Sequence, residues 1–190
     1  MAHNFFITGL PRSRTAWCAN FLTAGDAFCH HDGLANCRTL DDFARKMDAH
    51  PVSGDSDSGL VFFVDELRDR YPDAQWAVVR RDPAEVVRSL VSMPPYQNLP
   101  RIEEDAAEAM VAAATVRLDK LAAEPGVFSL NASDLSNREG ARALWWHCLR
   151  DHSPWNSARW EMLRDLRVTV ASERVNVSMT AAAALFGRAA

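Results

Sequence analysis

Asn4-Phe5-Phe6-Ile7-Thr8-Gly9-Leu10-Pro11-Arg12-Ser13-Arg14-Thr15-Ala16-Trp17 joins an apolar run to a helical pattern through a short polar loop. Residues 4–8 are nearly continuous in apolar character and stop at Gly9, as expected of a strand buried on both faces of a parallel sheet. From Thr15 to about Ala24, Trp17 and Phe21 lie one turn apart, as do Cys18 and Leu22, so this helix can pack back on the strand. Between them the loop occupies the point where unpaired helix N–H groups and the positive end of the helix dipole converge. A phosphate or sulfate suits that position. Arg12 and Arg14 add permanent positive charge, and Ser13 and Thr15 add hydroxyls that can complete an anion's coordination.

Outward from this unit the alternation continues. Residues 27–32 read as a second strand ending at His31-Asp32, and Leu40 to Ala49 as a helix opened by Thr39 with Asp41 and Asp42 in its first turn. His50-Pro51-Val52-Ser53 reads as a third strand, followed by a polar loop, Gly54-Asp55-Ser56-Asp57-Ser58-Gly59. The spacing of Leu60, Val64 and Leu67 favours a helix up to Tyr71-Pro72, with a strand over 60–64 as the alternative. Gln75 to Arg80 is a strand. Asp82 as N-cap, Pro83 at the first helical position and Glu85 as the capping-box acid open the next helix. Residues 93–100 are an exposed loop or lid, and an Ala-rich helix runs from Ile102 to Ala123. A strand at 127–130, helices at 138–149 and 155–166, an extended stretch at 167–171 and a helix at 180–188 complete the reading. Alternating strands and helices predict one α/β domain over residues 1–190, mainly parallel, with helices on both faces of the sheet.

The 190 residues are 48% hydrophobic and carry a formal net charge of −4, so there is a core of ordinary size and no broad basic field for nucleic acid or an anionic membrane. Lys46 and Lys120 are the only lysines; an anionic ligand must be met by a local cluster of arginines. Cys18, Cys29, Cys37 and Cys148 show no CxxC spacing, and the first residues lack a basic segment followed by a long apolar run. A reduced, cytoplasmic chain is expected. Cys29, His30, His31 and Asp32 lack a second, correctly spaced pair of ligands, so no metal is expected.

The loop departs from the nucleotide-kinase form Gly-x4-Gly-Lys-Ser/Thr: Arg14 takes the second glycine's place, Thr15 the lysine's, and Ala16 that of the magnesium-holding hydroxyl. It resembles instead the 5′-phosphosulfate loop of PAPS-dependent sulfotransferases, Pro-Lys/Arg-Ser-Gly-Thr-Thr-Trp. Pro11, Arg12, Ser13, Thr15 and Trp17 match; Arg14 for Gly and Ala16 for Thr depart. Arg81-Asp82-Pro83 with Ser89 eight residues after the Arg is similar to the 3′-phosphate motif of the same family. The resemblance implies a P-loop fold, PAPS as donor and PAP as product. Pro11 through Trp17 would then bind the donor together with Arg81 and Ser89. Residues 1–92 form the donor-binding part on this reading, and 93–190 a helical part that shapes the pocket for a hydroxyl or amine acceptor. Arg12 and Arg14 would stabilise the leaving phosphate.

The family's Lys-Thr-His-Leu-Pro segment, which carries its base, does not occur. The corresponding stretch is the loop at 54–59, which makes Asp57 or Asp55 the candidate base, with His31 as the next choice. Adjacent strand residues point to opposite faces, which argues against a direct His31–Asp32 pair. His147 and His152, beside Trp145, Trp146 and Trp155, are candidates for an acceptor pocket. Leu60-Val61-Phe62-Phe63-Val64-Asp65-Glu66 also fits the magnesium-holding strand of ATPases. Two readings therefore stand beside sulfuryl transfer: a kinase-like phosphotransferase acting on a nucleotide or nucleobase with ATP, and a nucleotide-binding protein without catalysis.

Overall fold

The computed structural model describes residues 3–34, 37–93 and 101–164. The readings at 94–100, 167–171 and 180–188 lie outside them. Five strands, β1 (His3–Gly9), β2 (Ala27–His31), β3 (Val52–Ser56), β4 (Gln75–Arg80) and β5 (Phe128–Asn131), form one all-parallel sheet in the order β2-β3-β1-β4-β5. Seven α-helices connect and cover them among the described residues: α1 (Thr15–Leu22), α2 (Leu40–Met47), α3 (Val64–Arg70), α4 (Pro83–Val91), α5 (Glu104–Ala122), α6 (Arg138–Leu149) and α7 (Ser157–Leu163). The α/β P-loop-like architecture expected from the alternation is present. No helix among the described residues is long and apolar enough to cross a membrane.

Strand alternation divides the core in two. Phe5 and Ile7 of β1 face Trp17, Phe21, Leu144, Trp145 and Trp160 of α1, α6 and α7, whereas Phe6 faces Phe43, Leu67, Val86, Val111 and Leu118 of α2 to α5. Burial of each large side chain stabilises the fold by about 1.5–3 kcal/mol relative to exposure. Three indoles on the first face also satisfy their N–H groups with distant carbonyls: Trp17 to Leu163 at 2.8 Å, Trp145 to Ser153 at 2.9 Å and Trp160 to Leu135 at 3.2 Å. Arg159 of α7 is buried against α1, donating to the Asn20 and Phe21 carbonyls that the helix leaves open at its C-terminal end.

The structure corrects the sequence reading at β3. The strand runs through Gly54, Asp55 and Ser56, which were expected in an exposed loop, and all five of its residues are buried. Hydrogen-bonded neighbours on both sides make it an interior strand, and the pairing does not require apolar side chains. Gly54 is needed at its position because a Cβ there would overlap the Phe5 ring. After β3 a 3-10 turn (Ser58–Phe62) buries Leu60 and Val61 and leads into α3. Residues 60–64 are therefore not a strand, and Asp65 and Glu66 sit in the first turn of a helix. The first helix ends at Leu22 rather than Ala24, where an Ala24–Ala27 bridge around Gly25 reverses the chain.

Gly54→Ala is expected to destabilise the protein by about 1–3 kcal/mol, the usual cost of overpacking a filled core. Urea unfolding measures this. If the Phe5 ring is the cause, the loss shrinks when Gly54→Ala is combined with Phe5→Leu, a coupling that a double-mutant cycle reads directly.

Candidate anion-binding site

Because every strand runs the same way, the carboxyl ends of β1, β2, β3 and β4 meet at one edge, where open α/β sheets bind ligands. The loop leaving β1 starts beside β4: a Cβ on Gly9 would overlap the Val79 carbonyl, so only glycine allows this approach. Ser13 N–H closes the turn on the Leu10 carbonyl at 3.1 Å. Arg12 and Arg14 have φ of 69° and 65°, a left-handed conformation costly for a side-chain-bearing residue. With Asp32 at φ 51°, three of the four non-glycine residues of positive φ among the described ones stand at this edge. Strain of this kind, on the order of 1–3 kcal/mol per residue, concentrates at functional sites. Helix α1 begins without a side-chain cap, in contrast to α2, α4, α6 and α7, which leaves its first N–H groups to the loop.

Two motifs distant in sequence come together here. Arg12 Nε donates to Ser89 Oγ at 3.2 Å, and Arg81 Nη1 donates to the Arg12 carbonyl at 2.6 Å while its Nε reaches Glu85 at 3.4 Å. Asp82 caps α4 through Glu85 N–H, which sets Arg81 at the end of β4 and Ser89 two turns into the helix. Arg14 donates to Ser136 Oγ at 2.9 Å and to the Arg164 carbonyl at 3.3 Å, and lies over the Trp17 ring. A cavity of about 490 Å³ opens between these groups, lined by Arg12, Arg14, Arg80 and Arg81 against the acids Asp82 and Glu85. Arg80 is partly committed, since it pairs with Asp119 at 2.6 Å. The far wall is Asn131, Ala132, Ser133 and Ser136, the turn after β5. The sequence reading passed over that turn, although its place after a strand matches that of the two loops it did single out.

Not every residue of the loop motif faces this cavity. Trp17 is fully buried, stacked on Phe21 and bonded to Leu163, and Ala16 is buried in the first turn of α1. Their side chains hold the loop from below, leaving only their backbone N–H groups for an anion. Pro11 is half-buried and Arg12 exposed at the rim. Ser13 is fully buried, and its hydroxyl has no protein partner.

On the other side of the loop stand the candidate bases. Asp55 lies inside the sheet, where Oδ1 accepts from Gly33 N–H at 3.1 Å and Oδ2 is buried without a partner. Burial, reinforced by the charge of Asp57, pushes its carboxyl well above the usual range. So enclosed a group cannot reach an acceptor, and its role is to hold the turn at 32–34. Asp57 accepts from Gly59 N–H at 2.6 Å and lines a second cavity of about 460 Å³ with Leu34, Cys37, Arg38, Thr39, Leu40 and Phe63. Burial raises the Asp57 carboxyl too, against the Gly59 hydrogen bond. Among the described residues none beyond 92 lines that cavity, whereas Asn131, Ala132, Ser133 and Ser136 line the arginine-rich one.

His31 links the loop to the acids. Its Nε2 lies 3.3 Å from Thr15 Oγ1 and its Nδ1 3.3 Å from Asp32 Oδ2. The pairing excluded by strand geometry occurs because β2 ends at His31 and the left-handed backbone of Asp32 folds the carboxylate back. Burial lowers the imidazole to about 4, with Asp57 opposing, so the ring is neutral at pH 7. Nδ1–H then donates to Asp32 and Nε2 accepts from the Thr15 hydroxyl, the tautomer these two partners select. The other histidines are elsewhere. His147 bonds the Trp76 carbonyl at 2.9 Å and His152 stacks on His3, both at the opposite end of the strands, so they line no acceptor pocket at this edge.

No protein-family model matches this chain, and no curated protein does. The geometry of the edge therefore stands alone as support for a function.

Replacement of Asp55 by Asn should leave the Gly33 hydrogen bond in place and remove the titration. A carboxyl raised in the folded state stabilises fully below its ordinary value near 3.8 and loses that contribution as pH rises through the raised value. The urea midpoint of the wild type should consequently fall relative to that of Asp55→Asn as pH rises from the ordinary carboxyl value near 3.8 through the raised one. Parallel profiles would mean that this carboxyl ionises freely.

Proposed function

We propose that this chain transfers a sulfuryl group from PAPS to a hydroxyl or amine acceptor. The observation that carries the reading is the meeting of Arg12 and Arg81 at one cavity, with Ser89 bonded to Arg12 behind them, since a donor with both a 5′-phosphosulfate and a 3′-phosphate requires two anion sites side by side. The cavity volume of about 490 Å³ is within the usual span for small-molecule sites. Arg12, Arg14 and the open N–H groups of α1 meet the phosphosulfate end, Arg81 and Ser89 the 3′-phosphate. Asn131, Ser133 and Ser136 offer neutral hydrogen-bonding groups to the nucleoside.

In this reading Asp57 accepts the acceptor's proton as its oxygen or nitrogen attacks sulfur, and the bond from sulfur to the 5′-phosphate oxygen breaks. PAP leaves with the charge that Arg12 and Arg14 balance. The raised carboxyl of Asp57 suits this work, because a general base acts best with its affinity for protons near the working pH. Neutral His31 takes the Thr15 hydroxyl proton in its hydrogen bond, so the arginines and the N–H groups of the loop, rather than that hydroxyl, meet the anion. The four free thiols fit a reducing, cytoplasmic setting. A kinase-like use of ATP and magnesium has less to build on: Ala16, buried in the first turn of α1, has no hydroxyl for a metal, and Asp65 and Glu66 do not end a strand.

Loss of Arg81 should cost about 1.5–3 kcal/mol of PAP affinity, or roughly 10- to 150-fold, and spare AMP. Ser89→Ala should act in the same direction by about 1 kcal/mol. Calorimetry with PAP and AMP, with thermal melting as folding control, tests this. Equal losses for both nucleotides would assign Arg81 to the loop's own fold through the Arg12 carbonyl, and a wild type that fails to prefer PAP would refute the donor.

Asp57→Asn should lower turnover by about 10²–10⁴-fold with PAP affinity retained. Steady-state rates beside PAP titrations separate the two effects. Undiminished turnover would take the base away from Asp57.

A further inference from the structure

The arginine-lined cavity and the one at Asp57 differ in chemistry. The donor-side cavity is polar and rich in arginine, whereas the one at Asp57 is walled mainly by Leu34, Cys37, Leu40 and Phe63. Among the described residues its charged lining side chains are Asp57 and Arg38. Phe63 is 40% exposed, an uncovered ring on the wall of a pocket large enough for a small molecule.

Arg38 is the unusual member. Asp42, the acid nearest in sequence, is already occupied: Oδ2 accepts from the Arg38 and Thr39 backbone N–H groups and Oδ1 from Arg45. The Arg38 side chain is exposed and makes no ion pair among the described residues, so it is the cation on this pocket's wall left open to a ligand. An apolar pocket thus has a proton acceptor at one place and an unneutralised cation at another. A ligand that satisfies both has a hydroxyl, an apolar body and an anion.

We propose that the acceptor is a small alcohol or phenol with an apolar body and a carboxylate remote from the reacting hydroxyl. The hydroxyl meets Asp57, the body covers Phe63 and lies along Leu34 and Leu40, and the carboxylate pairs with Arg38. This assignment rests on the sulfuryl-transfer reading for the identity of the reacting group. The pairing with Arg38 is a property of the cavity itself.

The test compares 4-hydroxyphenylacetate with its methyl ester, which keeps the hydroxyl and the ring and removes the charge. Binding is measured by calorimetry on the full chain with and without PAP, and transfer is followed with PAPS, for wild type, Arg38→Ala and Arg38→Lys. The acid should bind and react about tenfold better than the ester, an exposed charge-assisted pair being worth less than a buried one. Arg38→Ala should erase that preference, Arg38→Lys should restore most of it, and PAP affinity should stay unchanged in both. Equal use of acid and ester by the wild type, a preference that survives Arg38→Ala, or no binding of either compound would overturn the proposal. The two readings fail separately: PAP binding without discrimination between acid and ester refutes only the acceptor, whereas Arg38-dependent binding of the acid without PAP binding refutes sulfuryl transfer and leaves the cavity's ligand class standing.

Discussion

The parallel pairing of β1 with β3 on one side and β4 on the other is the constraint on which the rest depends. It brings the ends of these strands to a single edge and sets Gly9 against Val79, so that the loop leaving β1 crosses the start of the β4–α4 junction. The Arg81 contact to the Arg12 carbonyl is a consequence of that crossing. Were β4 not beside β1, the two arginine-bearing loops would belong to separate surfaces. The pairing also makes β3 an interior strand, and this is why Asp55 can be carried into the sheet.

The edge has an electrostatic division. On the β4 and β5 side stand arginines whose charge is only partly offset by Asp82 and Glu85. On the β3 and β2 side stand Asp32, Asp55 and Asp57, each raised first by burial, with mutual repulsion contributing for Asp55 and Asp57. Carboxyls so placed are held toward their protonated forms, and a neutral His31 between them and Thr15 adds no positive charge to relieve them. The edge is thus cationic on one flank and lined on the other by carboxyls that burial holds toward their neutral forms.

Backbone strain follows the same map. Arg12 and Arg14 hold their conformations because each guanidinium is fastened at a distance, Arg12 to Ser89 and Arg14 to Ser136 and the end of α7. Arg14 stands where the resembled loop has glycine, and its left-handed φ is the conformation glycine adopts freely. The side chain is thus compatible with the loop's backbone at a cost that its contacts help to offset. Trp17, Trp160 and Arg159 extend this support through the core, since they lock α7 onto α1 directly below the loop.

Local chemistry in the sequence was enough for the α/β alternation, the first strand-loop-helix unit and the start of α4, because a buried apolar run, a 3.6-residue period and an Asp-Pro cap are properties of neighbouring residues. The same holds for the arginine and hydroxyl content of the two loops. What the chain order could not decide depended on neighbours far away in sequence. Gly54-Asp55-Ser56 read as a loop because its polarity was taken without β1 and β2, whose hydrogen bonds continue the strand through it. Asp55 and Asp57, two residues apart in one polar run, lie in different surroundings because one is enclosed against Gly33 and the other borders a cavity. Trp17 matched a motif by residue type, yet its indole is held in the core by a carbonyl 146 residues away. The His31–Asp32 pair turned on one left-handed φ, and the turn at 131–136 joined the site only through the β4–β5 pairing. Propensity and period act over a few residues; enclosure and the convergence of strand ends are set by packing across the whole sheet.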